Sequence, residues 1–441
     1  MSKIKTRFAP SPTGPFHLGS ARTALYNYLF TKQQKGELIL RIEDTDKKRS
    51  KKEFEEGIIK SLKWLNIEYD KIYRQSERTS VYKKYIKKLI DVGYAYVSEE
   101  SPNPNQDKSN NSKVIRFKNP NKKVKFTDLI LGEIETDTTE LGDFIIAKDQ
   151  KTPLYHLAVV IDDMEMGITH IIRGQDHISN TARQILIQEA LEAEITPKYA
   201  HIPLILGPDK SKLSKRHGAA VSLSKYCDLG YLSEAIINFL AMIGWHPKDK
   251  KEIFTTKELI KEFNLAQVQK GGGIFDLEKL DWVNKEHIKK LSDKDKLQSI
   301  KNYLPKIEEK MVPVVLERIS KWSDINKKEF SYLFEKPKKK KYNPKNLIWK
   351  NSDKEKTIRH LRQIREIILT NLKDCHYNSI KNAIWPYAEK EGRGDVLWPM
   401  RYALSGKEKS PDPFTLVEIY GLESSAQSFQ IAIDKLEKLN D

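Results

Sequence analysis

Residues 8–25, FAPSPTGPFHLGSARTAL, restrict the fold more than any other stretch of the chain. Pro10, Pro12 and Pro15 lack the backbone N–H that a helix interior needs, and with Gly14 they exclude a helix up to residue 16. From His17-Leu18-Gly19-Ser20 onward, Ala21, Ala24, Leu25, Tyr28 and Leu29 fall on one stripe at the helical period. A stiff loop therefore delivers a histidine and a bare glycine to the mouth of a helix. A helix start carries unpaired N–H groups and partial positive charge, so it is a ready anion site. Gly19 removes a side chain that would block approach to that backbone, and His17 can donate to an anion's oxygen. A turn followed by a helix whose histidine only packs is the local alternative.

The flanks say what kind of fold this is. Residues 3–8 read as a strand and Gly36 as the stop of the helix. ELILRIEDTD, apolar at Leu38, Leu40 and Ile42, reads as a second strand ending in acids. Ser50 and Glu53 stand at capping-box spacing ahead of Phe54, Ile58, Leu62 and Leu65. Strand, helix, strand, helix argues for α/β architecture on a parallel sheet. The pattern breaks near residue 98, where SEESPNPNQDKSNNS is a polar loop and KVIRFK and GDFIIAK are short strands, so residues 81–147 read as an α+β insertion. It resumes with GITHIIRGQDH as a strand, NTARQILIQEALEA as a helix and HIPLIL as another strand. A basic loop follows, in which Lys212, Ser214, Lys215 and Arg216 lie within KLSKR. Lysines three apart in a tight loop can reach one polyphosphate, and a merely solvated basic loop is the alternative. Both loops stand after strands, where doubly wound sheets bind their ligands. Beyond residue 225 the chain reads as mostly helical, with 335–345, EKPKKKKYNPK, as a charged connector.

Length and charge set the wider frame. A chain of 441 residues predicts two to four domains. The formal charge of +17 fits either a lysine-rich soluble surface or a polyanionic partner. Cys227 and Cys375 form no C-x-x-C pair, so neither a thiolate zinc site nor a disulfide framework is expected. No apolar run reaches the roughly 18 residues of a membrane span. The first motif begins so near Met1 that no signal peptide is expected, and the cytoplasm is the default.

Taken together, the motifs resemble the class I aminoacyl-tRNA synthetases, with HLGS similar to their His-x-Gly-His signature and KLSKR to their Lys-Met-Ser-Lys-Ser signature. RFAPSPTGPFHLGSARTALYNYLF, LRIEDTD, YRQSER, YHLAVVIDD, GITHIIRGQDHISNT, GGGIFDLEKLDWVN and LWPMRYALSGKEKSPDPF extend the resemblance, over nearly the whole chain, to the glutamyl-tRNA synthetases. Ser20 replaces the second histidine and Arg216 the final serine, and Val159 stands where some relatives place a polar substrate contact.

The resemblance implies a Rossmann-type catalytic domain (1–80 and 148–207), an inserted acceptor-end-binding domain (81–147), a stem-contact region including KLSKR (208–291) and an all-α anticodon-binding domain (292–441). It implies ATP as a substrate, Mg2+ bridging the leaving phosphates, and no zinc, since the stretch around YAYVSEE carries no cysteine. L-glutamate and tRNA-Glu are the implied partners, with tRNA-Gln left open, no membrane, and a monomer as the default. By the resemblance, His17, Gly19 and Lys215 belong to catalysis, and the same residues with Lys212 and Ser214 to ATP. Arg7, Ala9, Ser11, Glu43, Tyr155 and Arg173 are the matching glutamate-site positions. The chemistry agrees: an arginine at a strand end can pair bidentately with a carboxylate, and Glu43 suits an ammonium. Each has a plainer reading alone, since Glu43 and Asp44 could cap a helix and Tyr155 could be core. Trp385, Trp398, Arg401 and Tyr402 fall in the expected anticodon region, with no base assigned to any of them. Glutaminyl-tRNA synthetase, a truncated relative modifying a tRNA base, and a non-enzymatic RNA-binding protein are the competing readings.

Overall fold

The N-terminal alternation is realised as β1 (Lys5–Phe8), α1 (Leu18–Gln33), β2 (Glu37–Ile42), α2 (Lys52–Trp64) and β3 (Lys71–Arg74), with parallel strands in the order β1-β2-β3. The structure, a computed structural model, describes residues 3–100, 112–213, 222–335, 337 and 341–439. The first unit, residues 1–287, continues with α3 (Thr79–Asp91), β4 (Ala95–Glu100), β5 (Ser112–Phe117), β6 (Lys123–Asp128), β7 (Gly132–Asp137), β8 (Phe144–Asp149), β9 (Thr152–Pro153) and α4 (Tyr155–Glu165). It ends with β10 (His170–Gly174), α5 (Ile178–Ala190), β11 (Lys198–Ile202), β12 (Ile205–Leu206), α6 (Leu223–Asp228), α7 (Ser233–Met242), α8 (Thr256–Glu262), β13 (Gly273–Ile274) and α9 (Leu277–Lys290), the last running past its boundary.

All six residues of β2 are buried, as expected of a parallel strand covered on both faces. The five stripe residues of α1 are buried, and so are Arg22, Tyr26, Asn27 and Thr31. The reason is a second cover. The Tyr26 hydroxyl donates to the Ala241 and Ile243 carbonyls (3.1 Å each), and its ring packs edge-on against Phe263.

Three local expectations change. Lys35, not Gly36, takes the left-handed turn after α1 (φ 52°). Gly36 is required for another reason: a β-carbon there would lie 2.5 Å from the Ile4 carbonyl oxygen. The Ser50–Glu53 capping box does not form, because the N-cap of α2 is Lys51, without a side-chain bond. The Lys51 N–H instead donates to the Pro12 carbonyl (3.0 Å), as the Glu43 N–H does to Pro10 (2.9 Å), and these bonds fix the proline loop against β2 and α2. HIPLIL is not one strand, since Pro203 removes a ladder donor. β11 stops at Ile202, and β12 pairs with β13 in a separate ribbon.

The segment read as an insertion is shared between two sheets. β4, β5, β8 and β9 form an antiparallel sheet, whereas the β6–β7 hairpin joins the other in the order β10-β11-β6-β7. β10, β11 and β6 are parallel, and Tyr199 of β11 pairs with Asp128 of β6. β1 lies beside β10: the Thr169 N–H donates to the Lys5 carbonyl (3.0 Å), and the Lys5 N–H to the Thr169 hydroxyl (2.9 Å). The carboxyl ends of β1, β2 and β10 thereby gather on one edge.

The second unit, residues 288–441, carries α10 (Asp293–Lys301), α11 (Val312–Arg318), α12 (Lys354–Thr370), α13 (Tyr377–Glu391), α14 (Arg393–Ser405), α15 (Pro413–Tyr420) and α16 (Leu422–Glu437), with no strand among its described residues. Ile364 and Ile368 of α12, Ile380 and Ile384 of α13, Met400 of α14 and Phe429 of α16 are fully buried. Trp398 stacks with Tyr402 and donates from Nε1 to the Asn346 carbonyl (2.9 Å), which is a packing role. Trp385 carries the cations of Arg393 and Lys381 over its ring at 4.8 and 5.3 Å.

Candidate functional site

A cleft of about 600 Å³ opens at the edge where these strand ends meet. Arg7 and Ala9 reach it from the end of β1, Ser11 from the proline loop, and His17 and Gly19 from the start of α1. Glu43 enters from the end of β2, Tyr155 from the start of α4, Arg173 from β10, and Lys212 from the loop after β12. Every predicted site residue within the described chain therefore lines one cavity. Ser214 and Lys215 lie outside the described residues. A second hollow, of about 690 Å³, carries Phe30, His170, Lys198 and Phe263 and none of the predicted site residues.

The two strand-end arginines differ in kind. Arg7 Nε meets Asp163 Oδ1 at 3.2 Å. Arg41, fully buried, meets the same Asp163 oxygen at 2.5 Å and Glu43 Oε1 at 3.1 Å. Burial works against the Asp163 charge, but Arg41 and Arg7 outweigh it and hold its pKa low. Burial pushes the Glu43 pKa up, against the pull of Arg41. Asp162, next along α4, accepts from Arg78 (2.7 Å), Gln75 (2.9 Å) and Tyr82 (2.9 Å). These three arginines are matched by three carboxylates. Arg173 is not so matched. It is 5 % exposed, and its guanidinium donates to Gln184 Oε1 (2.7 Å), Thr181 Oγ1 (2.7 Å) and His201 Nε2 (3.2 Å), all neutral acceptors. Burial lowers its pKa, and among the described residues it has no ion-pair partner within 4.0 Å. A buried cation held by neutral groups at a cavity wall favours an anion in that cavity.

The helix mouth is more elaborate than the sequence suggested. His17 is the N-cap of α1, and its Nδ1 accepts from the Ser20 N–H (3.2 Å). Its Nε2 lies 3.1 Å from the Ser20 hydroxyl, so the neutral ring protonated at Nε2 satisfies both contacts. Burial and the Lys212 ammonium lower its pKa, against the Asp176 carboxylate. A β-carbon on Gly19 would sit 3.1 Å from His17 Nδ1, so this glycine makes room for the ring as well as for an incoming group. Lys212 pairs with Asp176 (3.1 Å) beside His17. Beyond the basic loop, Leu223 N–H donates to the Phe16 carbonyl (2.9 Å) and Ser222 bridges to His17. Lys212, Ser222 and Leu223 are thus held at the cleft.

Arg41, Asp162 and Asp163 were missed by the sequence reading. Their signal was weak but present: a charged residue inside the apolar run ELILRI, and two adjacent acids closing the apolar run YHLAVVIDD.

Comparison with known proteins gives the family. The family described as tRNA synthetases class I (E and Q), catalytic domain, matches residues 3–104 and 103–282, and an anticodon binding domain matches 275–433. The chain is 40 % identical to the glutamate–tRNA ligase of Sulfurihydrogenibium sp., over 95 % of this chain and 97 % of that one. It is 47 % identical to the ligase of that name from Aquifex aeolicus, over 67 % and 69 % of the two chains. A crystal structure of a glutamate tRNA ligase from Elizabethkingia meningosepticum, in complex with its amino acid, superposes with a TM-score of 0.86 at 33 % identity, covering 99 % and 100 % of the chains. With its catalytic-domain match spanning the cleft and a helical unit matching an anticodon binder, the chain belongs to the class I tRNA synthetases of the glutamate and glutamine branch.

Proposed function

We propose that this chain is a glutamate–tRNA ligase that activates L-glutamate with ATP and transfers it to the 3′-terminal adenosine of tRNA-Glu. A glutamate α-carboxylate oxygen attacks the α-phosphorus of ATP, the α–β phosphoanhydride bond breaks, and pyrophosphate leaves. A ribose hydroxyl of the terminal adenosine then attacks the acyl carbon of glutamyl-adenylate, and AMP leaves. The substrate supplies the nucleophile, so the site's task is to orient groups and stabilise developing charge.

The observation that carries the amino-acid choice is Arg173, a buried guanidinium with neutral partners at the cleft wall. A glutamate side-chain carboxylate supplies the missing counter-charge, whereas the amide of glutamine does not. Arg7 assists from β1, Glu43 takes the α-ammonium, and Ala9, Ser11 and Tyr155 complete the pocket. His17 Nε2 and the backbone after Gly19 serve the α-phosphate. Lys212, Ser214 and Lys215 serve the ATP phosphates, and Mg2+ arrives on those phosphates as part of the nucleotide.

The insertion (81–147) takes the acceptor end, residues 208–291 contact the stem, and the helical region 292–441 holds the anticodon. The working form is a cytoplasmic monomer. The deciding experiment is aminoacylation with radiolabelled glutamate on purified tRNA-Glu and tRNA-Gln separately, with glutamine as control. Charging of tRNA-Glu with glutamate is expected. Charging of tRNA-Gln as well marks a non-discriminating enzyme, and charging of neither by folded protein overturns the reading.

A further inference from the structure

Behind Arg173 lies a buried relay that the reaction described above does not use. Asp128 closes β6, in the segment read as an insertion, and its side chain is fully buried. Its Oδ1 accepts from the Ile130 and Leu131 N–H groups (2.9 Å each), shaping the turn into β7. Its Oδ2 accepts from the backbone N–H of His201 (3.0 Å) and lies 2.7 Å from His201 Nδ1. The His201 ring is fully buried too, and its Nε2 is 3.2 Å from Arg173 Nε. An arginine Nε–H can only donate, so His201 Nε2 must be an acceptor and the ring proton must sit on Nδ1, facing Asp128. Thr181 Oγ1, which accepts from Arg173 Nη2, also lies 3.2 Å from His201 Nε2. The Tyr199 ring stacks on His201 in the same layer.

We infer that Asp128 and His201 are positioning residues: Asp128 fixes the tautomer of His201, and His201 holds the Arg173 guanidinium in the orientation that receives the substrate carboxylate. This rests on the assignment of Arg173 to the glutamate side chain. A carboxylate is required at 128 because both of its oxygens must accept. In Asp128→Asn, the amide NH2 faces either the turn N–H groups or His201. In the second arrangement it drives the ring proton to Nε2, against Arg173 Nε–H. Burial holds the His201 pKa below its usual value, which keeps Nε2 an acceptor.

The test is steady-state aminoacylation by full-length Asp128→Asn, His201→Phe and Arg173→Lys, and by the His201→Phe/Arg173→Lys double variant, each checked by thermal denaturation. The glutamate KM should rise about tenfold in Asp128→Asn and in His201→Phe, the loss expected for one charge-assisted bond, with kcat and the ATP KM within about twofold. In the Arg173→Lys background, adding His201→Phe should change the glutamate KM no further, because lysine offers no Nε–H at that place. If Arg173→Lys raises the glutamate KM but the other two single variants do not, the relay is overturned and the substrate assignment stands. If Arg173→Lys leaves the glutamate KM unchanged, the assignment beneath it is overturned. A parallel loss of kcat, both KM values and thermal stability, additive in the double variant, would mean a structural role alone and would also overturn the inference.

Discussion

Two arginines stand at neighbouring strand ends of one cleft, in different surroundings. Arg7 shares Asp163 with Arg41, whereas Arg173 is held by a glutamine, a threonine and a neutral histidine. The same buried setting places two histidines well below their usual pKa. Burial and nearby arginines lower His156 and His177 to about 4 each. Between the ordinary value of 6.5 and about 4, the unfolded chain takes up protons that the folded chain refuses. Stability from these two groups is therefore fully present above pH 6.5 and lost as pH falls towards 4. Asp163 and Asp176, with lowered pKa values, act further into the acid, below their ordinary 3.8. The thermal midpoint at fixed ionic strength should fall steadily from pH 7 to pH 4.5. A flat profile would show that His156 and His177 do not titrate as described.

At the scale of elements, the β1–α1–β2 unit depends on one tight crossing. Gly36 passes the Ile4 carbonyl so closely that Gly36→Ala must move β1 or β2, at a cost of about 1–3 kcal/mol. Urea unfolding would read this, and a change below about 0.5 kcal/mol would show that the crossing yields freely. This unit was also the most legible part of the sequence. β2 is an apolar run, the stripe of α1 has the helical period and the loop is marked by prolines, so the positions of His17, Gly19 and Glu43 at element ends could be read directly, whereas β1, KTRF, offers only Phe8 as an apolar residue. Signals that depend on distant partners were not legible. Ser50 had the spacing of a cap, but the Pro12 carbonyl took the Lys51 N–H and set the helix start. Pro203 inside HIPLIL did carry a readable warning. Nothing local ties Arg41 to Asp163, or Asp128 to His201, because each pair meets only after the sheet has formed.

At the scale of the molecule, the charge of +17 fits the polyanionic substrate proposed above. The KM for tRNA should rise with salt, on the order of tenfold or more between 50 and 200 mM, because releasing the phosphates' counterions gains less entropy when the solution already holds more salt. The glutamate KM should move little, since Arg173, the proposed carboxylate partner, sits inside the protein and buried charges are weakly screened. Parallel shifts in both constants would contradict this division between surface and cleft. The sheet that carries the cleft is assembled from strands far apart in the chain, with β6 paired to β11 and β1 set beside β10. On a ribosome adding about 5–20 residues per second, β1 and β6 emerge seconds before the strands that complete them. For that interval each offers a bare edge, the kind of surface on which nascent chains misassociate. Arg173 and His201 come out after Arg7, Ala9, Ser11, Glu43 and Tyr155, the other residues proposed to hold glutamate. On that assignment, glutamate gains its full set of contacts only once synthesis has passed β11, too late to help the early chain fold.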